Sequence, residues 1–194
     1  MDLSSLLQGA MGQQIVGAAA QQLGINESQA QTAVGAAIPF LLSALNKNAQ
    51  SGGANGIANA LNQHDGSILD NLSGFLGQGG NMQDGLGILG HVLGGNQETV
   101  ANNIGKQTGL DSGQIIKILA LVAPIVMGFL GKQKQEQGLQ SDGIAGLLGG
   151  LIGGTNQAAG GINLGGFEKL LDQDGDGQLG ASDVMGLLGG FFKK

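Results

Sequence analysis

The two prolines of this 194-residue chain stand at the same point of an internal repeat, and that repeat limits the available folds more than any other feature. Shifted by 85 positions, Gln22, Gly24, Gln29, Pro39, Leu45 and Lys47 meet Gln107, Gly109, Gln114, Pro124, Leu130 and Lys132. Apolar character repeats with them: Ile15 with Val100, Ile25 with Leu110, Leu41 with Val126, Leu42 with Met127. Further on, Gly56, Ile57, Ala58 and Leu61 match Gly143, Ile144, Ala145 and Leu148 at a shift of 87, so the second copy carries a two-residue insertion.

Each copy reads as helix–turn–helix. Gly24 and Gly109 sit where a left-handed residue ends a helix, Asn26 and Asp111 can cap the next one, and Gln29 and Gln114 occupy the capping-box position three residues on. The following helices, over 30–45 and 115–130, are apolar nearly all round, which predicts central, buried positions. Pro39 and Pro124 fall inside them; proline removes one backbone hydrogen bond and crowds the preceding turn, so a kink or break is expected at each. Between the copies, Asp65 or Ser67 can cap a short helix ending near Gly77, and residues 87–95 form a second apolar, glycine-bounded run. The fold class is therefore all-α: a duplicated helical bundle over 1–153, a glycine-rich joint at 154–163, and a C-terminal helix–loop–helix module at 164–194.

The segments HDGSILDNLSGFLG (64–77), GILGHVLGG (87–95) and APIVMGFLG (123–131) resemble the bacterial YidB-like family, over roughly residues 1–153. The resemblance implies an all-helical fold and no reaction.

Composition narrows the partners. Glycine makes up 40 of the 194 residues, about three times the ordinary ~7% usage. The 41% apolar fraction still provides a core, built from small side chains with six Phe, no Trp and no Tyr. Net charge is −6 and all eight basic residues are lysine; lacking the guanidinium fork, the chain is a poor nucleic-acid ligand. Without cysteine there are no disulfides, thiolate nucleophiles or Cys-type zinc sites. The longest strongly apolar stretch, 118–131, is too short for a membrane span and reads as a buried helix. Met1-Asp2-Leu3-Ser4 does not open a classical signal peptide, so cytoplasmic location is the default expectation, with the periplasm and exterior left open.

The clearest chemistry lies at the C-terminus. In DQDGDGQLGASD, residues 172–183, Asp172, Asp174 and Asp176 stand at loop positions 1, 3 and 5 of an EF-hand, with Gly177 at the sharp turn of position 6. Gln178 offers its backbone carbonyl from position 7 and Asp183 closes the loop at position 12; Gly180 at position 9 leaves that ligand to water. Ca²⁺, a hard cation requiring six to eight oxygens, is the ligand this spacing predicts. Asp183 replaces the usual bidentate Glu, and the D-x-D-x-D-G-x5-D pattern resembles dockerin modules as much as sensor EF-hands. Phe167, Leu170 and Leu171 before the loop, and Val184, Leu187 and Leu188 after it, supply apolar faces for flanking helices.

Other candidates are weaker in kind. His64 and His91 have no third histidine or cysteine to complete a metal site, and His64-Asp65 is a common helix-entry pattern. There is no G-x-S-x-G element, and the glycines of 85–90 do not follow a strand. The resulting expectation is a non-enzymatic calcium-binding structural or interaction protein, self-associating or serving an unidentified protein partner. Its rivals are a self-assembling or peripheral membrane protein using glycine-rich faces such as 144–154, and an enzyme using His64 and His91.

Overall fold

A computed structural model describes residues 9–158, and every regular element among them is helical. The chain runs through α1 (Ala10–Leu23), α2 (Glu27–Asn48), a π-type turn (Ala49–Gly53), α3 (Ala54–Gln63), α4 (Ser67–Asp70), α5 (Leu72–Gly77) and α6 (Met82–Leu93). It continues through a 3₁₀ turn (Gly94–Asn96), α7 (Gln97–Thr108), α8 (Ser112–Glu136), a second 3₁₀ turn (Ser141–Gly143) and α9 (Ile144–Ala158). The last of these extends five residues into the glycine-rich stretch at 154–163; the remainder of that stretch lies outside the described residues.

The repeated segments adopt the same turn. Gly24 has φ 64° and ψ 31°, and Gly109 has φ 72° and ψ 17°, left-handed values that glycine reaches without a Cβ penalty. Gly24 donates its N–H to the Ala20 carbonyl and Gly109 to the Gly105 carbonyl, positions that are themselves 85 apart. Asn26 Oδ1 accepts from the Gln29 amide at 2.8 Å, and Asp111 Oδ1 from the Gln114 amide at 2.9 Å. The glutamines reciprocate: Gln29 Oε1 accepts from the Asn26 amide and Gln114 Oε1 from the Asp111 amide, completing a capping box at both sites.

The core is organised around α8. From Ile118 to Gly131 every residue is buried, so no face of the helix is left for water over nearly four turns. Helices α2, α3, α4, α6 and α7 all pack on it. By length and composition α8 could cross a membrane, yet 78% of its most apolar window is covered by this chain's own helices. Helix α2 is the second central element but is less enclosed: Ala33, Val34, Ala37, Ile38, Leu41, Leu42 and Leu45 are buried at helical spacing, while Gln31 and Thr32 face solvent. The helices that follow the two central ones cross over. Helix α3, which follows α2, packs on α8; α9, which follows α8, packs on α2 through the fully buried Ile144 and Leu148.

Neither proline breaks its helix, so of the kink or break expected at each the break does not occur: Glu27–Asn48 and Ser112–Glu136 each run through without interruption. Proline's φ is compatible with an α-helix, and what it forfeits is one donor to the carbonyl four residues back. For Pro124 that carbonyl belongs to Ala120, and the backbone of Gly85 from α6 is laid directly on it. A Cβ on Gly85 would overlap the Ala120 oxygen, so only glycine fits. Packing along the buried length of α8 outweighs the local defect.

Glycines on α6 consequently differ in kind. Gly85 is buried against α8, whereas Gly87, two residues on, is exposed and a Cβ there would meet nothing within 4 Å. Gly85→Ala is expected to destabilise by about 3 kcal/mol or more through overpacking. Gly87→Ala is expected to stabilise by ~0.5–1 kcal/mol by restricting the unfolded chain and raising helix propensity. Urea unfolding of the two variants beside the parent checks the opposite signs; equal effects would contradict the close approach of α6 to α8.

Candidate functional site

The residues singled out as calcium ligands, Asp172, Asp174, Asp176, Gln178 and Asp183, lie outside the described residues. Among the described residues, no group of three or more His, Asp, Glu or Cys is placed to hold a metal ion. What the helical domain offers is a set of helix ends, and each candidate side chain is found at one of them.

His64 is the half-buried residue that closes α3. Its carbonyl lies against Gly131 of α8, where a Cβ would overlap the oxygen. Gly128, one turn earlier on α8, lies beneath Ile68, whose Cγ2 would be 2.5 Å from an added Cβ. Gly128 and Gly131 thus form a notch that seats the end of α3 and the start of α4. His91 sits on the exposed side of α6, with Nδ1 2.8 Å from the Gly87 carbonyl one turn back, and its own carbonyl accepts from Asn48 Nδ2 at 3.4 Å. No hydrogen bond joins the two imidazoles. Their backbones serve different contacts, one against α8 and one against the end of α2.

A depression opens at the α7–α8 turn, lined by Asn102, Gly105, Lys106, Gly109, Leu110, Asp111 and Ser112. Neither histidine reaches it. Its carboxylate, Asp111, is already committed to the Gln114 amide, and its cation is Lys106. This arrangement supplies the cap of α8 and one ammonium group at an open surface. Apolar exposure is equally sparse: Leu86, at 43%, is the exposed large hydrophobic side chain among the described residues.

Side-chain links at the domain's edge tie helix ends together. Gln22 Nε2 donates to the Leu76 carbonyl at 3.0 Å and Ser73 Oγ to Gln14 Oε1 at 2.9 Å, fastening α5 to α1. Lys134 Nζ donates to Asn62 Oδ1, joining α8 to α3. The Lys132–Asp70 pair, at 3.9 Å and well exposed, adds little to stability.

Sequence reasoning located the caps at Asn26 and Asp111 and the histidines but missed the Asn81 cap of α6 and also Gly85, Gly128 and Gly131, which set how closely helices approach α8. The G-x-x-G spacing within APIVMGFLG was the available signal, because residues three apart share a helix face.

The N-cap of α4 is left-handed Gly66 rather than Asp65 or Ser67, because the chain turns there; Asp65, one residue earlier, accepts from the Ser67 amide at 3.0 Å through Oδ1. That bond, with a second from the Ser67 hydroxyl, lowers the Asp65 pKa below its ordinary value. A depressed folded-state pKa contributes stability above the unfolded value, ~3.9, and loses it as pH falls through the folded value. Asp65→Ala is therefore expected to be less stable than the parent at neutral pH, with the gap closing in acid. Thermal unfolding across that pH range checks it, and a gap that is constant with pH would contradict an ionised acceptor at the Ser67 amide.

Residues 5–133 match the family described as bacterial protein of unknown function, DUF937. The matched span includes both helix–turn–helix units and ends before α9, short of residue 153. No curated protein and no solved structure matches the chain.

Proposed function

We propose that this chain, which belongs to the DUF937 family of bacterial proteins of unknown function, is a non-enzymatic calcium-binding structural or interaction protein. The observation that carries this reading is the oxygen-ligand spacing of residues 172–183. Asp172, Asp174 and Asp176 alternate at positions 1, 3 and 5, Gly177 takes the turn, and Asp183 ends the loop. Four carboxylates within twelve residues repel one another unless a cation neutralises them, and Ca²⁺ is the cation that an all-oxygen loop of this length selects. The Gln178 carbonyl and a water at position 9 complete the ligand set.

The helical domain is, in this reading, a duplicated YidB-like unit serving as scaffold. The paired capping boxes at Asn26 and Asp111, and the equivalent left-handed glycines, support descent of both units from one ancestral helix–turn–helix. The loop gives the protein its ligand, and the apolar residues flanking it, Phe167, Leu171, Val184 and Leu188, give calcium an element to order. Its partner is a second copy of the chain or another protein.

A single loop lacking a side-chain ligand at position 9 and ending in Asp belongs in the weak range, with Kd ~10⁻⁵–10⁻³ M. At calcium about a hundredfold above Kd, binding stabilises the module by about 2.7 kcal/mol. Titration calorimetry on the full chain is expected to show one calcium site in that range, abolished in Asp172→Ala and Asp176→Ala. Absence of heat at millimolar calcium, or variants that bind like the parent, would overturn the assignment.

A further inference from the structure

Three of the longer helices begin in the same way. At α2, α6 and α8 the amide of the third helical residue is taken by the side chain of the N-cap: Gln29 by Asn26, Asp84 by Asn81, Gln114 by Asp111. Helix α3, like α1 and α7, has no side-chain cap. Its N-cap is Gly53, which has no side chain to offer, and its third residue is Gly56. Gly53 is fixed by its surroundings, since a Cβ there would overlap Asn48 Oδ1 and lie 2.8 Å from the Asn48 carbonyl oxygen. The tight return from α2 into α3, through Ser51 (φ −83°, ψ 16°) and Gly52 (φ 95°, ψ 0°), thus excludes a capping residue. The Gly56 amide is one of the first-turn donors that an α-helix leaves unpaired.

The residue before that amide is Asn55, and Asn55-Gly56 is the sole Asn-Gly pair in the sequence. Both residues are exposed, and the position of a Cβ on Gly56 is open space. We infer that Asn55 is a site of spontaneous deamidation in the folded protein. The Gly56 nitrogen gives up its proton to solvent base and attacks the Asn55 side-chain carbonyl carbon. A new C–N bond closes a five-membered succinimide as the C–NH₂ bond breaks and ammonia leaves with a proton. Water then opens the ring at either carbonyl, returning the nitrogen its proton and leaving aspartate or isoaspartate. Asparagine and water become an acid and ammonia, with no other reactant.

Two features bear on the reaction. A helix interior suppresses it by holding the attacking amide in a hydrogen bond and fixing the backbone; the first turn of α3 lacks the cap that would do this. The repeat supplies an internal contrast: the pair equivalent to Asn55-Gly56 is Asp142-Gly143, whose glycine amide is engaged by the Gln140 carbonyl at 3.1 Å. The products differ in consequence. Aspartate at position 55 suits a helix N-terminus, where negative charge is favoured. Isoaspartate lengthens the backbone by one carbon and shifts Ile57, Ala58 and Leu61, the residues by which α3 is buried, out of register.

The test is to age the folded full chain, and the urea-unfolded chain beside it, at mildly alkaline pH. Peptide fragmentation by mass spectrometry locates each conversion, and isoaspartyl methyltransferase labelling counts the isoaspartate. In the folded chain Asn55 is expected to convert about an order of magnitude faster than any other asparagine, at a rate within severalfold of the unfolded chain. Gly56→Ala, which has room for its methyl group, is expected to slow Asn55 by about the same factor. If Asn55 persists in the folded chain while the unfolded chain converts, the Gly56 amide is held and the inference fails; it fails equally if another asparagine reacts first.

Discussion

Complete enclosure of α8 is the constraint on which the rest of the domain depends. A helix buried on every face over Ile118–Gly131 has to be covered by several others, and those others must come close, because the chain has few large side chains with which to fill gaps. Glycine at three points allows that approach. Gly85 brings α6 onto the Ala120 carbonyl, while Gly128 and Gly131 admit the link from α3 to α4. Small-residue contact here does the work that aromatic anchors do in other cores. The remaining helices take their positions from this arrangement.

Helix ends carry most of the polar specification. The domain's apolar surfaces are interchangeable in chemistry, so register is set where backbone groups must find partners. Asn26, Asn81 and Asp111 fix where α2, α6 and α8 begin, and Asp65 fixes α4. Left-handed Gly24 and Gly109 fix where α1 and α7 stop. The α2–α3 connection has a different solution: Gly52 and Gly53 turn the chain sharply, and Asn48 spans to the His91 carbonyl from the other side.

Caps and the central helix were legible in the sequence because their signals are local. An N-cap with glutamine three residues on, or an unbroken apolar run, reports its own structure. The unbroken helices through Pro39 and Pro124 were not legible, since proline's local cost is visible in sequence and the tertiary packing that outweighs it is not. The partial exposure of α2 was hidden for the same reason: its apolar content resembles that of α8, and only the number of covering helices separates them. Glycine is the least readable letter of all, because Gly85 and Gly87 look alike in a string and have opposite surroundings. The acidic loop of residues 172–183 lies outside the described span, and its reading as a calcium site is a proposal that rests on residue spacing alone. His64 and His91 show the limit of reading residue types: each is placed by what its backbone does.

The cross-packing of α3 on α8 and of α9 on α2 has a consequence for how the chain reaches its native state. Residues 10–63 cannot bury α3 by themselves, so the first half of the chain, emerging alone during synthesis, lacks the surface that α3 requires. Contacts between residues far apart in sequence must form before either half gains its full core, and loop closure over such separations slows the search. Although helical proteins usually fold through local contacts, this topology couples the two ends of the domain into one cooperative transition. A ribosome stalled midway through this chain would therefore hold an incomplete core, with the apolar face of α3 still waiting for its partner.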